Sequence, residues 1–167
     1  MKATELRGMR VVSVPDAENL GEVEDLVLNL NPDAQRVVAI RVKSVPEGVV
    51  KTVSAVDVMI GHDAVTIKEV RSIPEEELTE LEGTVNLSKL LGSKVMSHGG
   101  NVLGDVEDVE VEPSDLSITG YDLGKGTLAN LFGGRSSLPA ARGIHYGEFL
   151  MVPDEVVAEM ERGKVGE

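Results

Sequence analysis

The carboxylates of two short acidic phrases are the side chains best suited to chemistry in this sequence. They are Glu22, Glu24 and Asp25 in the first phrase, and Asp105, Glu107, Asp108, Glu110 and Glu112 in the second. Carboxylates grouped in this way could bind a hard cation such as Ca²⁺. The sequence lacks the Asp-x-Asp-x-Asp-Gly loop pattern of calcium sites, and strand alternation places Glu110 and Glu112 on one face. We therefore interpret the phrases as solvated strand faces that resist edge pairing, and we predict no metal site.

The three histidines give little support for catalysis. His62, His98 and His145 are far apart in the sequence, and a zinc site would require them to converge from separate loops. His62 precedes Asp63, as in a catalytic dyad, but no nucleophile elbow or oxyanion-forming helix follows. The glycine-rich stretches lack both common phosphate-binding patterns. We therefore predict no catalytic residue, no cofactor and no enzymatic activity.

Composition excludes several kinds of chemistry and predicts no membrane-spanning helix. The chain of 167 residues has no cysteine, which excludes disulfides, thiolate catalysis and cysteine-based metal sites. No apolar run approaches the roughly 18 residues of a membrane-spanning helix, and the first residues lack the apolar core of a signal peptide. The expectation is a cytoplasmic protein.

Charge and aromatic content argue against direct nucleic-acid binding. The net charge is −13, since residues 1–82 carry 9 basic and 16 acidic side chains and residues 83–167 carry 7 and 13. Both halves would repel phosphate backbones at long range. Aromatic residues make up 2% of the chain, so few side chains can stack on bases. Because aromatic residues are so few, the core must be built from aliphatic side chains.

The acidic phrases recur because the chain repeats itself. GEVEDLVLNL begins at Gly21, and GDVEDVEVEP begins at Gly104, 83 positions later. After each glycine the apolar positions are spaced by three and then by two, whereas a regular strand needs two throughout. One extra residue, near Glu24-Asp25 and again near Glu107-Asp108, predicts a β-bulge in each copy.

The remaining segments predict a fold that is mainly β: two tandem small β-barrels, each followed by a short α-helix. QRVVAIRVKS matches DLSITGYDLG in position, and DAVTI matches EFLMV, which gives short and evenly spaced strands. Ser72 and Glu75 have the spacing of a capping box at the start of the first helix. We place the boundary near Gly83, so that domain 1 with its connecting helix is 1–82 and domain 2 is 83–167.

In their order and repetition these motifs resemble the PRC-barrel family, named for the cytoplasmic domain of the photosynthetic reaction-centre H subunit. The motifs are Leu6-Arg7-Gly8, Leu20-Gly21-Glu22-Val23-Glu24-Asp25 and Gly61-His62-Asp63-Ala64-Val65, then Leu90-Leu91-Gly92, Leu103-Gly104-Asp105-Val106-Glu107-Asp108 and Gly147-Glu148-Phe149-Leu150. The resemblance covers almost the whole chain. The second copy departs from the pattern at Gly147, where His62 has no counterpart, and in a long insertion.

The resemblance implies an interaction and assembly module without catalytic machinery. Tandem PRC barrels that stand alone resemble archaeal proteins, some of which act in cell division through SepF and FtsZ. The chain is therefore expected to be a protein-binding scaffold that SepF or another PRC-barrel protein recruits to the division site. A homodimer or higher oligomer is also expected. The alternative is a ribosome-maturation or RNA-processing assembly factor that acts through a ribosomal protein.

The insertion over residues 124–137 is the predicted partner-binding segment. Leu128, Leu131 and Phe132 stand at i, i+3 and i+4, which gives one apolar face of a helical turn, and Arg135 follows them. Two interpretations are open: an exposed anchor for a protein partner, or a lid over one barrel mouth.

Overall fold

The protein is mainly β, as predicted, and forms two sheets. The structure is a computed structural model that describes residues 1–126 and 135–165. The strands of the first sheet are Arg10–Ser13 (β1), Glu18–Leu30 (β2), Gln35–Lys43 (β3), Val50–Ser54 (β4), Val58–Ile60 (β5), Val65–Ile67 (β6) and Thr84–Asn86 (β7). Their order is β4-β3-β2-β1-β6-β5, and β7 pairs with β2. The pairing of β1 with β6 is parallel, and the other pairings are antiparallel.

The second sheet repeats strands β1 to β6 of the first sheet. Its strands are Lys94–Ser97 (β8), Val102–Val111 (β9), Ile118–Gly124 (β10), Arg135–Pro139 (β11), His145–Tyr146 (β12) and Leu150–Val152 (β13). The order β11-β10-β9-β8-β13-β12 makes β8 to β13 the equivalents of β1 to β6. The segment matches predicted from the sequence, β3 with β10 and β6 with β13, are confirmed. We call residues 1–82 repeat 1 and residues 83–167 repeat 2.

Short helices precede and follow the strands of each repeat. They are Ala3–Leu6 (α1), Glu75–Thr79 (α2), Leu87–Leu90 (α3) and Asp154–Val165 (α4). The capping box predicted for α2 is wrong, because Pro74 is its N-cap residue and no side chain caps it. Ser72 instead forms a β-bridge with Val53, which holds it in extended conformation. In the described ranges no helix combines the length and hydropathy that a bilayer crossing requires.

Both predicted bulges are present. The register of β2 against β3 shifts between Val23 and Asp25, so Glu24 is the extra residue. The register of β9 against β10 shifts at the equivalent place, where Glu107 is the extra residue. Both glutamates are exposed, and the aspartate after each, Asp25 or Asp108, is buried. The bulge therefore changes which residue of the phrase faces inward.

Each acidic phrase begins with a glycine because two backbones cross closely there. Gly21 has φ +128° and Gly104 has φ +151°, values that other residues rarely adopt. A Cβ atom added at Gly21 would lie 2.0 Å from the carbonyl oxygen of Lys43. At Gly104 it would lie 2.7 Å from the carbonyl oxygen of Gly124. The repeated glycine is therefore required by the contact of β2 with the end of β3, and of β9 with the end of β10.

The first residues of each repeat pair with a strand of the other repeat. β7, at the start of repeat 2, pairs with β2 of repeat 1. In return, Lys2 forms a β-bridge with Glu110 of β9, and the amide of Val111 donates to the carbonyl oxygen of Met1 over 2.7 Å. With the boundary placed near Gly83, each sheet takes a short segment from the other repeat.

Equivalent residues of the two repeats also face each other. Arg36 of repeat 1 forms an antiparallel bridge with Ser117 of repeat 2. Arg36 directly precedes the residue that pairs with Leu28 of β2. Ser117 directly precedes the residue that pairs with Val111, which is the equivalent of Leu28 in β9. Self-pairing of equivalent positions is a property of two-fold interfaces. The chain is thus arranged like a symmetric dimer whose two subunits are covalently joined.

The main hydrophobic core runs through both repeats. One continuous cluster of buried side chains extends from Ala3 and Leu6 to Val152 and Val156. The cluster is mostly aliphatic, as the composition predicts, and Tyr121 is among its largest fully buried side chains. The two repeats therefore stabilise each other through shared apolar burial as well as through strand exchange.

Candidate interaction site

Three of the four residues predicted to bind a partner, Leu128, Leu131 and Phe132, lie outside the described residues. The fourth, Arg135, is the first residue of β11, and its backbone pairs with that of Gly124 at the end of β10. Strand pairing therefore extends from both sides into the predicted insertion. The anchor and lid interpretations both stay open.

The equivalent connection in repeat 1 carries an exposed aliphatic surface that the sequence analysis missed. Residues 44–49 join β3 to β4 at the place where repeat 2 joins β10 to β11. Val45 is 64% exposed and Val49 is 55% exposed. Val50 and Val70 are exposed as well. We call these four residues the valine surface.

The valine surface borders a shallow groove of about 190 Å³. Val49 and Val70 line this groove together with the aliphatic side chains of Leu20, Val42 and Val53. Residues 72–73 pair with Val53 and Thr52 in the second half of β4, and Val49 and Val50 stand at its start. An aliphatic patch beside a strand edge is a typical protein contact surface.

The buried aspartates of the acidic phrases join the repeats. The Asp25 carboxylate accepts hydrogen bonds from the Ser88 amide, over 3.2 Å, and from the Ser88 hydroxyl. In the reciprocal contact, Asp108 accepts from the Thr4 amide, also over 3.2 Å, and from the Thr4 hydroxyl. We call these pairs the aspartate contacts. Because Ser88 and Thr4 stand in the first turns of α3 and α1, each carboxylate satisfies an otherwise unpaired amide of the other repeat.

The aspartate contacts correct the interpretation of the acidic phrases as solvated strand faces for Asp25 and Asp108, whereas Glu22, Glu24 and Glu107 are exposed as expected. Asp25 is 8% exposed and Asp108 is 9% exposed. The physical reason is the bulge, whose extra glutamate shifts the alternation so that the aspartate faces the other repeat. Each carboxylate also accepts from the next backbone amide, over 2.9 Å at Leu26 and 2.8 Å at Val109. The carboxylates of Asp25 and Asp108 therefore stabilise the fold.

A polar contact and an apolar contact complete the joint between the repeats. The Tyr121 hydroxyl donates to Gln35 Oε1, and Gln35 Nε2 donates to the carbonyl oxygen of Ala141 over 2.9 Å. Burial raises the pKa of Tyr121, so its hydroxyl stays protonated and remains a donor. Leu116 of repeat 2 packs among Leu26 and other core residues of repeat 1. Side chains from each repeat therefore complete the interior of the other.

Two of the histidines, although distant in sequence, are neighbours in the fold. The ring centroids of His98 and His145 are 5.8 Å apart. His62 lies beside Asp63, with a nitrogen–oxygen distance of 3.6 Å, and both side chains are almost fully exposed. Within residues 1–126 and 135–165, no three histidine, aspartate or glutamate side chains are arranged to hold a metal ion.

The PRC-barrel domain family matches residues 1–73 of the chain. The matched residues contain α1 and the strands β1 to β6, the unit that β8 to β13 repeat. No curated protein matches the chain.

Proposed function

We propose, from the membership of residues 1–73 in the PRC-barrel domain family, that the chain is a non-enzymatic scaffold that binds other proteins. PRC-barrel domains are generally non-catalytic and often mediate protein interactions. The hydrogen bonds that the buried polar groups form within the fold support the proposal. Asp25, Asp108 and Gln35 all bond across the joint between the repeats. Such groups stabilise a rigid body that can present surfaces to partners.

The valine surface offers a site at which the scaffold could bind another protein chain. Exposed aliphatic side chains mark contact surfaces, because their burial in a complex is favourable. We infer that a second copy of the chain binds there, since an aliphatic surface beside the edge strand β4 can pair with its own symmetry equivalent. The net charge of −13 opposes this pairing at low ionic strength. Added salt should screen the repulsion between the two copies and strengthen their association.

Replacing both Val45 and Val49 with aspartate is expected to abolish self-association, because it places charge in the apolar contact. Light scattering during size-exclusion chromatography, across protein concentrations and at low and high salt, measures the effect. Val56→Asp is the matched control, since Val56 is 77% exposed on the 3₁₀ turn Ala55–Asp57 at the far end of β4. The proposal fails if the unmodified chain is monomeric throughout, or if the double variant associates as before.

Within this function, we propose the archaeal cell-division apparatus as the setting, with SepF or another PRC-barrel protein as recruiting partner. The support is the resemblance of the tandem motifs to archaeal PRC-barrel proteins that stand alone. A tagged chain in its native host should concentrate at the division site and co-purify with SepF. Diffuse localisation without recovery of a division protein would count against this setting. Recovery of a ribosomal protein would favour the assembly-factor alternative.

A further inference from the structure

Two methionines lie side by side on the outer face of the second sheet. In β8 and β13 the residues that face the core, such as Val95 and Val152, are buried. Strand alternation therefore sends Met96 and Met151 to the opposite face, where both are half-buried. Because β8 and β13 pair in parallel with Met96 opposite Met151, the two side chains project next to each other.

Two histidines flank this methionine pair on the same face. His145 of β12 stands opposite Met151 in the antiparallel register, so both side chains project from one face. His98 follows Met96 by two positions, and its amide donates to the carbonyl oxygen of Val152 over 2.9 Å. This hydrogen bond extends the pairing of β8 with β13 as far as His98. Since β13 lies between β8 and β12, the two rings, whose centroids are 5.8 Å apart, meet across the strand that carries Met151.

The rings of His98 and His145 are spaced for one metal ion. An ion about 2 Å from one nitrogen of each ring lies about 3 Å from each centroid, so two coordinating rings have centroids about 5–6 Å apart. The tautomer of His145 is also fixed, because the Gly143 carbonyl oxygen, 3.1 Å from Nδ1, can only accept a hydrogen bond. Nδ1 therefore carries the proton, and Nε2 of the neutral ring has a free lone pair. A hydrogen bond from the other ring nitrogen to a carbonyl oxygen is typical of histidines that bind metals.

The chemistry of these four side chains selects a soft metal ion. Among the residues that the structure describes, no third histidine, aspartate or glutamate joins the two rings in a metal-binding arrangement. The further donors on this face are the thioether sulfurs of Met96 and Met151. Thioether sulfur is polarizable and selects Cu(I), and imidazole also suits copper. The ligand set therefore favours Cu(I) over Zn²⁺ and over hard cations.

The equivalent face of repeat 1 shows that the fold itself does not require this set. The positions equivalent to Met96, His98, His145 and Met151 are Val12, Val14, Met59 and Thr66. Repeat 1 thus has one thioether and no imidazole on a face built with the same strand register. The two histidines and the methionine pair occur together in repeat 2 alone.

We propose that Met96, His98, His145 and Met151 form a binding site for one Cu(I) ion on the outer face of repeat 2. The two imidazole rings and the thioether sulfurs supply the ligands. A methionine side chain has three rotatable bonds, so its sulfur can turn to the ion without movement of the strands. The site goes beyond the proposed scaffold function and gives the chain a ligand of its own.

Titration of the full-length chain with Cu(I), under anaerobic and reducing conditions, tests the site. The methyl NMR signals of Met96 and Met151 are expected to shift and to stop shifting at one ion per chain. The other methionines serve as internal references whose signals should stay in place: Met1, Met9, Met59 and Met160. No shift at one equivalent of Cu(I), or shifts confined to the reference methionines, would overturn the proposal.

Met151→Leu is expected to weaken Cu(I) binding by at least about tenfold, because it removes a thioether ligand while it conserves side-chain volume. Competition with a Cu(I) chelator such as ferrozine measures the change. His98→Ala, at an exposed position that the fold tolerates, should weaken binding at least as much. Met59→Leu is the matched control, since it makes the same change at the repeat 1 equivalent of His145, and should preserve binding. Unchanged affinity in Met151→Leu or in His98→Ala, or an equal loss in Met59→Leu, would contradict the proposal.

Discussion

Replacing Asp25 with alanine is expected to lower the free energy of unfolding by about 3 kcal/mol. The buried carboxylate accepts hydrogen bonds from the Leu26 amide and from the amide and hydroxyl of Ser88. Alanine removes the acceptor and leaves these donors without a partner. One hydrogen bond to a charged acceptor contributes about 1.5–3 kcal/mol, and bonds to the same carboxylate do not add independently. Urea denaturation of the full chain measures the loss.

Two controls separate the contact from a general effect of removing charge. Glu24→Ala removes the neighbouring exposed carboxylate and is expected to change stability by less than about 0.5 kcal/mol. A double-mutant cycle of Asp25→Ala with Ser88→Ala should give a coupling of about 1–2 kcal/mol. Asp108→Ala should cost as much as Asp25→Ala, because the aspartate contacts are reciprocal. Equal effects of Asp25→Ala and Glu24→Ala would refute the role assigned to the contact.

Gly21→Ala is expected to lower the free energy of unfolding by about 4 kcal/mol. The added methyl group would lie 2.0 Å from the carbonyl oxygen of Lys43, so one of the two backbones has to move. Overpacking of this kind costs about 1–3 kcal/mol, and a non-glycine residue at this φ adds about 1–3 kcal/mol of strain. Thermal unfolding and urea denaturation both report the loss.

Gly8→Ala is the matched control for Gly21→Ala. Gly8 also has a positive φ, of +88°, but nothing lies within 4 Å of an added Cβ. It should cost about 1 kcal/mol, from backbone strain alone. If Gly21→Ala proves no more destabilising than Gly8→Ala, the close crossing of β2 with the end of β3 is not a constraint on the fold.

The strand segments and the bulge of each repeat were accessible from the sequence because they are encoded locally. The spacing of Val23, Leu26 and Leu28 departs from strict alternation by one residue, which is the direct signature of a bulge. The glycine before each phrase marks a position where a side chain has no room. Such patterns depend on neighbours along the chain, so one sequence is sufficient to predict them.

The joint between the repeats was not predicted, because its contacts link residues about 60 to 110 positions apart. In the sequence Asp25 is another acidic residue beside Glu24, and only the bulge distinguishes the buried one from the exposed one. A signal was available, since the hydroxyl residues Thr4 and Ser88 recur in step with the aspartates. The valines of residues 44–50 were missed because valine is equally common in buried strands.

Differential scanning calorimetry of the full chain and of Asp108→Ala tests most directly whether the two repeats form one cooperative body. The shared core and reciprocal contacts predict a single transition whose calorimetric and van't Hoff enthalpies agree, and which Asp108→Ala shifts as a whole to lower temperature. Two resolved transitions, of which the variant moves only one, would show that the barrels unfold independently and would contradict the account.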